Sequence, residues 1–346
     1  MAKQSNIIIA DESALFFHLH TNGSGANAGA ASETAIRPES PNQIASRYGH
    51  PLSSGPSITP TFSNPLLECA STAADFAGFN PDHPLYGGKP VSLLVSQPRH
   101  RRRSNTIATR CYPAEPPDGS FYSIRDGLYL ATPEFVFARM ANFKSEVQLA
   151  EIGINLCGRY YLDILANTIE DRVEYATTPE RLKRYLEKAP NLKGAHKALK
   201  ALKWVVANSA SPMETKMELQ FCNPLWSGGF ALPLRHMNYD VLAGRQAYMT
   251  EQNEFCIDAV DPVSRTGLEY DGAEAHTEPS KDNRRRNALH AMGWEIFVID
   301  KNVLYNPEAT KTAALQIAKR LGTRIQFPKR WNQAYQQLRT DLGLPV

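Results

Sequence analysis

Three carboxylates punctuate an apolar stretch: Asp258 closes Phe-Cys-Ile-Asp, and Glu269 and Asp271 flank the tyrosine of Glu-Tyr-Asp-Gly. Glu269 and Asp271 are two apart, so on a strand they face the same side of the sheet. Carboxylates at that spacing repel one another unless a cation or a proton neutralises them. Asp258 on a neighbouring strand would complete an oxygen-rich shell suited to Mg²⁺ or Mn²⁺. An ion held beside a phosphodiester polarises the phosphate and generates hydroxide, which is the chemistry of nucleic-acid cleavage. The competing reading is three acids at strand ends paired with nearby arginines.

Two further residues bear on that chemistry. Glu214 can reach the same place from an earlier helix, but Ser211-x-x-Glu214 with Pro212 is also a capping box, which accounts for the glutamate without a metal. His276 follows the Asp-Gly step, and its imidazole titrates near neutral pH, as a general base must. A lone loop histidine is otherwise a solvated polar residue.

Positive charge follows the acids. Asp282 suits a helix start, and Arg284, Arg285 and Arg286 come directly after it. Arg285 shares a helix face with Leu289 and Met292, which turns it toward the sheet and the acids. Arg284 and Arg286 are left to solvent or phosphate, which arginine binds well. The densest basic run, Arg99-His100-Arg101-Arg102-Arg103, follows an apolar strand and a proline break. Arg101, Arg102 and Arg103 either track a phosphate backbone or blunt a sheet edge. No aromatic residue interleaves with them, so base stacking is not indicated.

The elements that must position these residues are legible in the carboxy-terminal part. Ser211-Pro212 opens a helix to about residue 221, and strands are expected over 235–241, 254–260 and 266–271. A helix over 282–292 leads to a strand over 294–300, read as buried on both faces. Asn306-Pro307-Glu308 caps a last helix that Gly322 stops. The order αβββαβα predicts an α/β sandwich around a mixed sheet, with antiparallel pairing first and a crossover helix later.

With those residues in place, the stretch 209–307 resembles the Vsr-like branch of the PD-(D/E)XK nuclease superfamily. It is most similar to a bacterial endonuclease-domain family with the pattern Asp … Glu-Tyr-Asp-Gly-x-x-x-His, then Asp-x-x-Arg-x-x-x-Leu-x-x-x-Gly-Trp. Here these are Asp258, Glu269 to Gly272, His276, Asp282, Arg285, Leu289, Gly293 and Trp294. The resemblance implies a restriction-endonuclease-like αβββαβ core that hydrolyses DNA with Mg²⁺ or Mn²⁺. Asp258, Glu269 and Asp271 would be its metal ligands, with Glu214 beside them and His276 in proton transfer. Arg284, Arg285 and Arg286 would bind nucleic acid. One departure matters: Asp271 stands where the superfamily has lysine, which leaves open an inactive nuclease fold that only binds DNA or protein. Residues 99–103 and 126–133 are more loosely similar to the amino-terminal domains of multidomain actinobacterial members.

The rest of the chain divides by composition. Residues 1–20 form an amino-terminal segment, and residues 21–64 are a low-complexity insert too poor in apolar side chains to offset ordering entropy. Residues 65–207 read as a recognition domain, short strands up to 130 and helices after Thr132-Pro133. Residues 208–322 are the nuclease-like part and 323–346 a carboxy-terminal extension. The fold class is therefore α/β (α+β), a mixed β-then-helical domain preceding the sandwich. Net charge is only +3, so DNA affinity has to come from local clusters. Five scattered cysteines without C-x-x-C spacing fit free thiols in a cytoplasmic protein, and no stretch is long enough to span a membrane. DNA is the expected partner, with a protein partner or homodimer left open. Phosphate-loop and dinucleotide fingerprints are absent, which removes support for nucleotide hydrolysis and hydride transfer.

Overall fold

The structure is a computed structural model that describes residues 7–20, 90–101, 103, 107–125, 128–163, 168–172, 175–246, 250, 252–272 and 279–346. Two compact units emerge: Met1–Lys144 with Leu156–Leu202, and Ser145–Asn155 with Lys203–Val346. Both are mixed α/β.

In the first unit, the strands are β1 (Ile7–Ile9), β2 (Val91–Val95), β3 (Ile107–Cys111), β4 (Phe121–Arg125) and β5 (Leu128–Ala131), in the sheet order β3-β2-β1-β5-β4. The short β1 lies at the centre, parallel to β5 and antiparallel to β2. Its isoleucine run suits a strand covered on both faces, and Ile8 and Ile9 are buried. Asp11 then takes a positive φ of 51° and opens helix α1 (Asp11–Leu19). Its buried carboxylate accepts two bonds from Arg139, at 2.9 and 3.0 Å. Arg139 belongs to α2 (Pro133–Met140), which Thr132 caps by accepting the Phe135 N–H.

Helix α3 (Glu146–Leu156) belongs, up to Asn155, to the second unit; after it the chain returns to the first with a two-stranded antiparallel hairpin, β6 (Tyr160–Asp163) with β7 (Thr168–Asp171). This hairpin lies in a region whose sequence reads as helical. Its aromatic and β-branched residues carry the strand preference, between strong helix signals on either side. Helices α4 (Pro179–Lys188) and α5 (Ala195–Leu202) close the unit.

The second unit, resumed at Lys203, contains α6 (Pro212–Cys222), whose cap Ser211 accepts the Glu214 N–H at 3.1 Å. Strands β8 (His236–Leu242), β9 (Glu254–Asp261) and β10 (Thr266–Asp271) form an antiparallel meander. Helix α7 (Pro279–Ala291) then carries the chain to β11 (Glu295–Asp300), which pairs parallel with β10. The sheet order is β11-β10-β9-β8, and the parallel pair requires the crossover that α7 supplies. Ala288 and Leu289 of α7 pack with Val241, Phe255, Ile257 and Trp294 in one apolar cluster. The expectation of a doubly buried last strand is corrected here: β11 is a sheet edge, and of its residues Ile299 alone is buried.

Three helices follow: α8 (Lys301–Tyr305), α9 (Pro307–Arg320) and α10 (Trp331–Asp341). Asn306 caps α9, and Gly322 just beyond it has a φ of 65°. Helix α10 buries Trp331, Tyr335, Leu338 and Arg339, one helical face. The Trp331 indole donates to the Gly229 carbonyl at 3.0 Å, and the Tyr335 hydroxyl to that of Pro307 at 3.0 Å. Arg339, fully buried, donates to the Gln220 side chain at 2.7 Å and to the Tyr305 carbonyl at 2.8 Å. Among the described residues, no helix is long and apolar enough to cross a membrane.

Candidate functional site

The site is built where β9 and β10 stop pairing. Their register runs Thr266 to Asp261, Gly267 to Val260 and Leu268 to Ala259. One step further, Glu269 falls opposite Asp258. There the Asp258 carboxylate accepts the Tyr270 N–H at 2.7 Å, a side chain standing in for the backbone ladder. Burial changes at the same point: Thr266, Gly267 and Leu268 are buried, while Glu269, Tyr270 and Asp271 are half-buried. The close approach at Gly267 makes this geometry possible, since a Cβ there would lie 2.8 Å from Ile257 and 2.9 Å from Ile296.

Glu214 joins from α6. Its carboxylate accepts the Ala210 N–H at 2.8 Å and an Asn238 side-chain N–H at 2.7 Å. Asn238 falls opposite Asp258 in the β8–β9 register and has a positive φ of 46°. Its amide also donates to the Asn208 carbonyl at 2.8 Å. Asn238 was not singled out from the sequence, although asparagine is a poor strand former that tolerates positive φ. Only half of the expected capping box forms: Ser211 accepts the Glu214 N–H, while the Glu214 carboxylate takes the Ala210 N–H rather than that of Ser211, and its charge acts on Asp258.

Charge at the site is unbalanced toward the negative. Burial first, then the nearby Glu214 and Glu269, push the Asp258 carboxyl up to about 8, against the pull of the Tyr270 N–H and Arg285. Arg285 is the local cation: its Nη2 lies 2.6 Å from a Glu269 oxygen and donates to the Cys256 carbonyl at 2.6 Å. Burial opposes the guanidinium charge, but the hydrogen bond to Glu269 and the charges of Glu269 and Asp258 raise its pKa. Helix α7 thus turns Arg285 onto the acids as its spacing predicts, while Arg284 and Arg286 are exposed.

Asp271 is placed differently. It falls beside Asp300 in the β10–β11 register, and these two acids together with Tyr305 act on the Tyr270 phenol, whose pKa is raised first by burial. His276 lies outside the described residues, as does Arg102. Arg101 and Arg103 are exposed in the first unit, after the 3-10 turn Pro98–His100. Cys256 is half-buried, with its thiol 3.5 Å from the Asn238 side-chain oxygen.

The donor set of Glu214, Asp258 and Glu269 suits a hard divalent cation in its chemistry, all carboxylate oxygens with surplus negative charge. Its spacing is not that of a closed shell: among the described residues, no group of three or more His, Cys, Asp or Glu side chains is placed to hold one ion. Comparison with protein-family models gave no match, and neither did comparison with curated proteins or with solved structures.

Proposed function

We propose that the second unit is a metal-dependent DNA endonuclease of the PD-(D/E)XK, Vsr-like type, built on a restriction-endonuclease-like αβββαβ core. The observation that carries this reading is the convergence of Glu214, Asp258 and Glu269 from α6, β9 and β10, where burial first, and then the charges of Glu214 and Glu269, push the Asp258 carboxyl up to about 8. A divalent ion bound there, Mg²⁺ or Mn²⁺, supplies positive charge to a phosphate and lowers the pKa of a water. Asp258 and Glu269 would hold it, with Glu214 as a further oxygen donor; Asp271, beside Asp300, is not part of that set. Arg284 and Arg286 project from α7 into solvent, where phosphates can meet them. His276 would move the proton, and the first unit, with exposed Arg101 and Arg103, would recognise the target. The free thiols of Cys111, Cys157, Cys222 and Cys256 agree with a reducing cytoplasmic setting.

The test is plasmid, nicked and single-stranded DNA incubated with the full chain and Mg²⁺ or Mn²⁺. Asp258→Ala is expected to reduce cleavage to background. Intact DNA in every condition, or cleavage that survives the substitution, overturns the proposal.

One observation favours a second reading. Arg285 already neutralises Glu269, and Asp271 stands where the superfamily has lysine, so the fold could serve as an inactive DNA- or protein-binding module. That reading expects metal-independent binding that Asp258→Ala leaves unchanged.

A further inference from the structure

A separate recess in the second unit shares no lining residue with the carboxylate site. It lies among the first turn of α3, the 3-10 turn Leu225–Ser227 and the end of α10, and has a volume of about 210 Å³. Its walls include Trp204 and Trp226, whose rings meet edge to face with centroids 6.2 Å apart. Trp226 is 64% exposed. Two acidic residues, Glu146 and Asp341, also line the recess, and among the described residues no lysine, arginine or histidine does.

Asp341 stands where the helix electrostatics disfavour an acid. It ends α10, where the helix dipole already makes the potential negative, and a carboxylate there works against the helix. One Asp341 oxygen accepts a bond from Gln337 at 2.9 Å, which orients the group without neutralising it. Two acids, a helix carboxy terminus and indole faces all favour a cation. Trp204 already meets one: the Arg235 guanidinium lies 5.4 Å from its ring centroid. Among the described residues, no cation lies over Trp226. The volume is below the roughly 300 Å³ at which drug-sized pockets begin, so the recess suits a head group rather than a nucleotide. Its two carboxylates would also repel phosphate.

We propose that this recess binds the head of an alkylammonium ion, with the Trp226 ring against the cation and Glu146 and Asp341 supplying the opposite charge. The cation has two sources, a lysine side chain on a partner protein or a free quaternary amine, and the experiment separates them.

The full-length protein is titrated with tetramethylammonium chloride and, separately, with N-acetyl-lysine methylamide, at constant ionic strength against sodium chloride. Tryptophan fluorescence reads the titration, because Trp294 and Trp331 are buried and Trp226 is the exposed indole. A saturable change absent with sodium chloride is expected. Tighter binding of the lysine analogue identifies a side chain as the source, and tighter binding of tetramethylammonium a free amine. Asp341→Asn, which relieves α10, should weaken binding roughly threefold. Trp226→Ala, followed by ligand-observed NMR, should weaken it about tenfold. A response that is linear in ligand, or affinity unchanged in both variants, overturns the proposal.

Discussion

The Arg285 guanidinium bridges β10 and β9, lying 2.6 Å from the Glu269 carboxylate and 2.6 Å from the Cys256 carbonyl. It occupies the electrostatic role that a bound cation would take beside Asp258. Binding of a divalent ion and retention of this ion pair therefore compete for the same charge.

Arg285→Ala leaves Glu269 half-buried without its partner, which should lower stability by roughly 1–3 kcal/mol. Saturating Mn²⁺ is expected to raise the melting temperature of the variant more than that of the wild type. Tryptophan-fluorescence melts with and without the ion read this difference, and an equal shift in both proteins would contradict the competition.

Gly267 is the second lever. In Gly267→Ala the new methyl meets Ile257 and Ile296 side chains at 2.8 and 2.9 Å. Overpacking of this kind should cost about 1–3 kcal/mol. Denaturant unfolding should show a lower midpoint with an unchanged slope; a wild-type midpoint would mean that both isoleucines move aside freely.

Glu218 gives the second unit an unusual pH response. Burial pushes its carboxyl up to about 7, although Arg235 at 3.3 Å pulls the other way. Among the described residues neither oxygen has a hydrogen-bond partner, and desolvation wins. The folded chain then holds the proton more tightly than the unfolded one. This contribution is complete below about pH 4.5 and is lost as pH rises to about 7, some 3 kcal/mol in all. Glu218→Gln should flatten that loss and melt higher at pH 8. All four tryptophans (204, 226, 294 and 331) lie in this unit, so their fluorescence follows it specifically.

The first unit should respond in the opposite sense. Burial drives the His18 imidazole down to about 3 and that of His20 to about 4, each against a hydrogen bond to a backbone carbonyl. The unfolded chain takes up these protons first, so the contribution is complete above about pH 6.5 and is lost as pH falls toward 3. Hydrogen exchange in residues 7–19, corrected for its intrinsic pH dependence, should show protection declining below pH 6.5. His18→Gln, which can still donate to the Ala131 carbonyl, should make the decline shallower.

Much of the second unit was legible because its boundaries carry local chemistry. Ser211, Asn306 and Gly322 act at the helix ends as their types require, and the αβββαβ order followed from alternation and caps. Arg285 was readable from its helical spacing relative to Leu289. The contribution of Asn238 was not, because it depends on which residue faces Asp258 across the β8–β9 register. Nor was the centrality of β1, three isoleucines whose partners lie far along the chain. The edge position of β11 escaped for a related reason: its apolar residues match a strand covered on both faces, and only strand order distinguishes the two.

The clasp at Arg339 limits how far the molecule can be shortened. A fragment ending at Gly322 would keep every strand and every carboxylate of the site, yet it would leave the Gln220 side-chain oxygen and the Tyr305 carbonyl without their donor. Gln220 sits on the same helix as Glu214. The minimal sequence motif is thus smaller than the smallest piece expected to hold it in shape, and a screen of trimmed fragments would record a loss of folding as a loss of function.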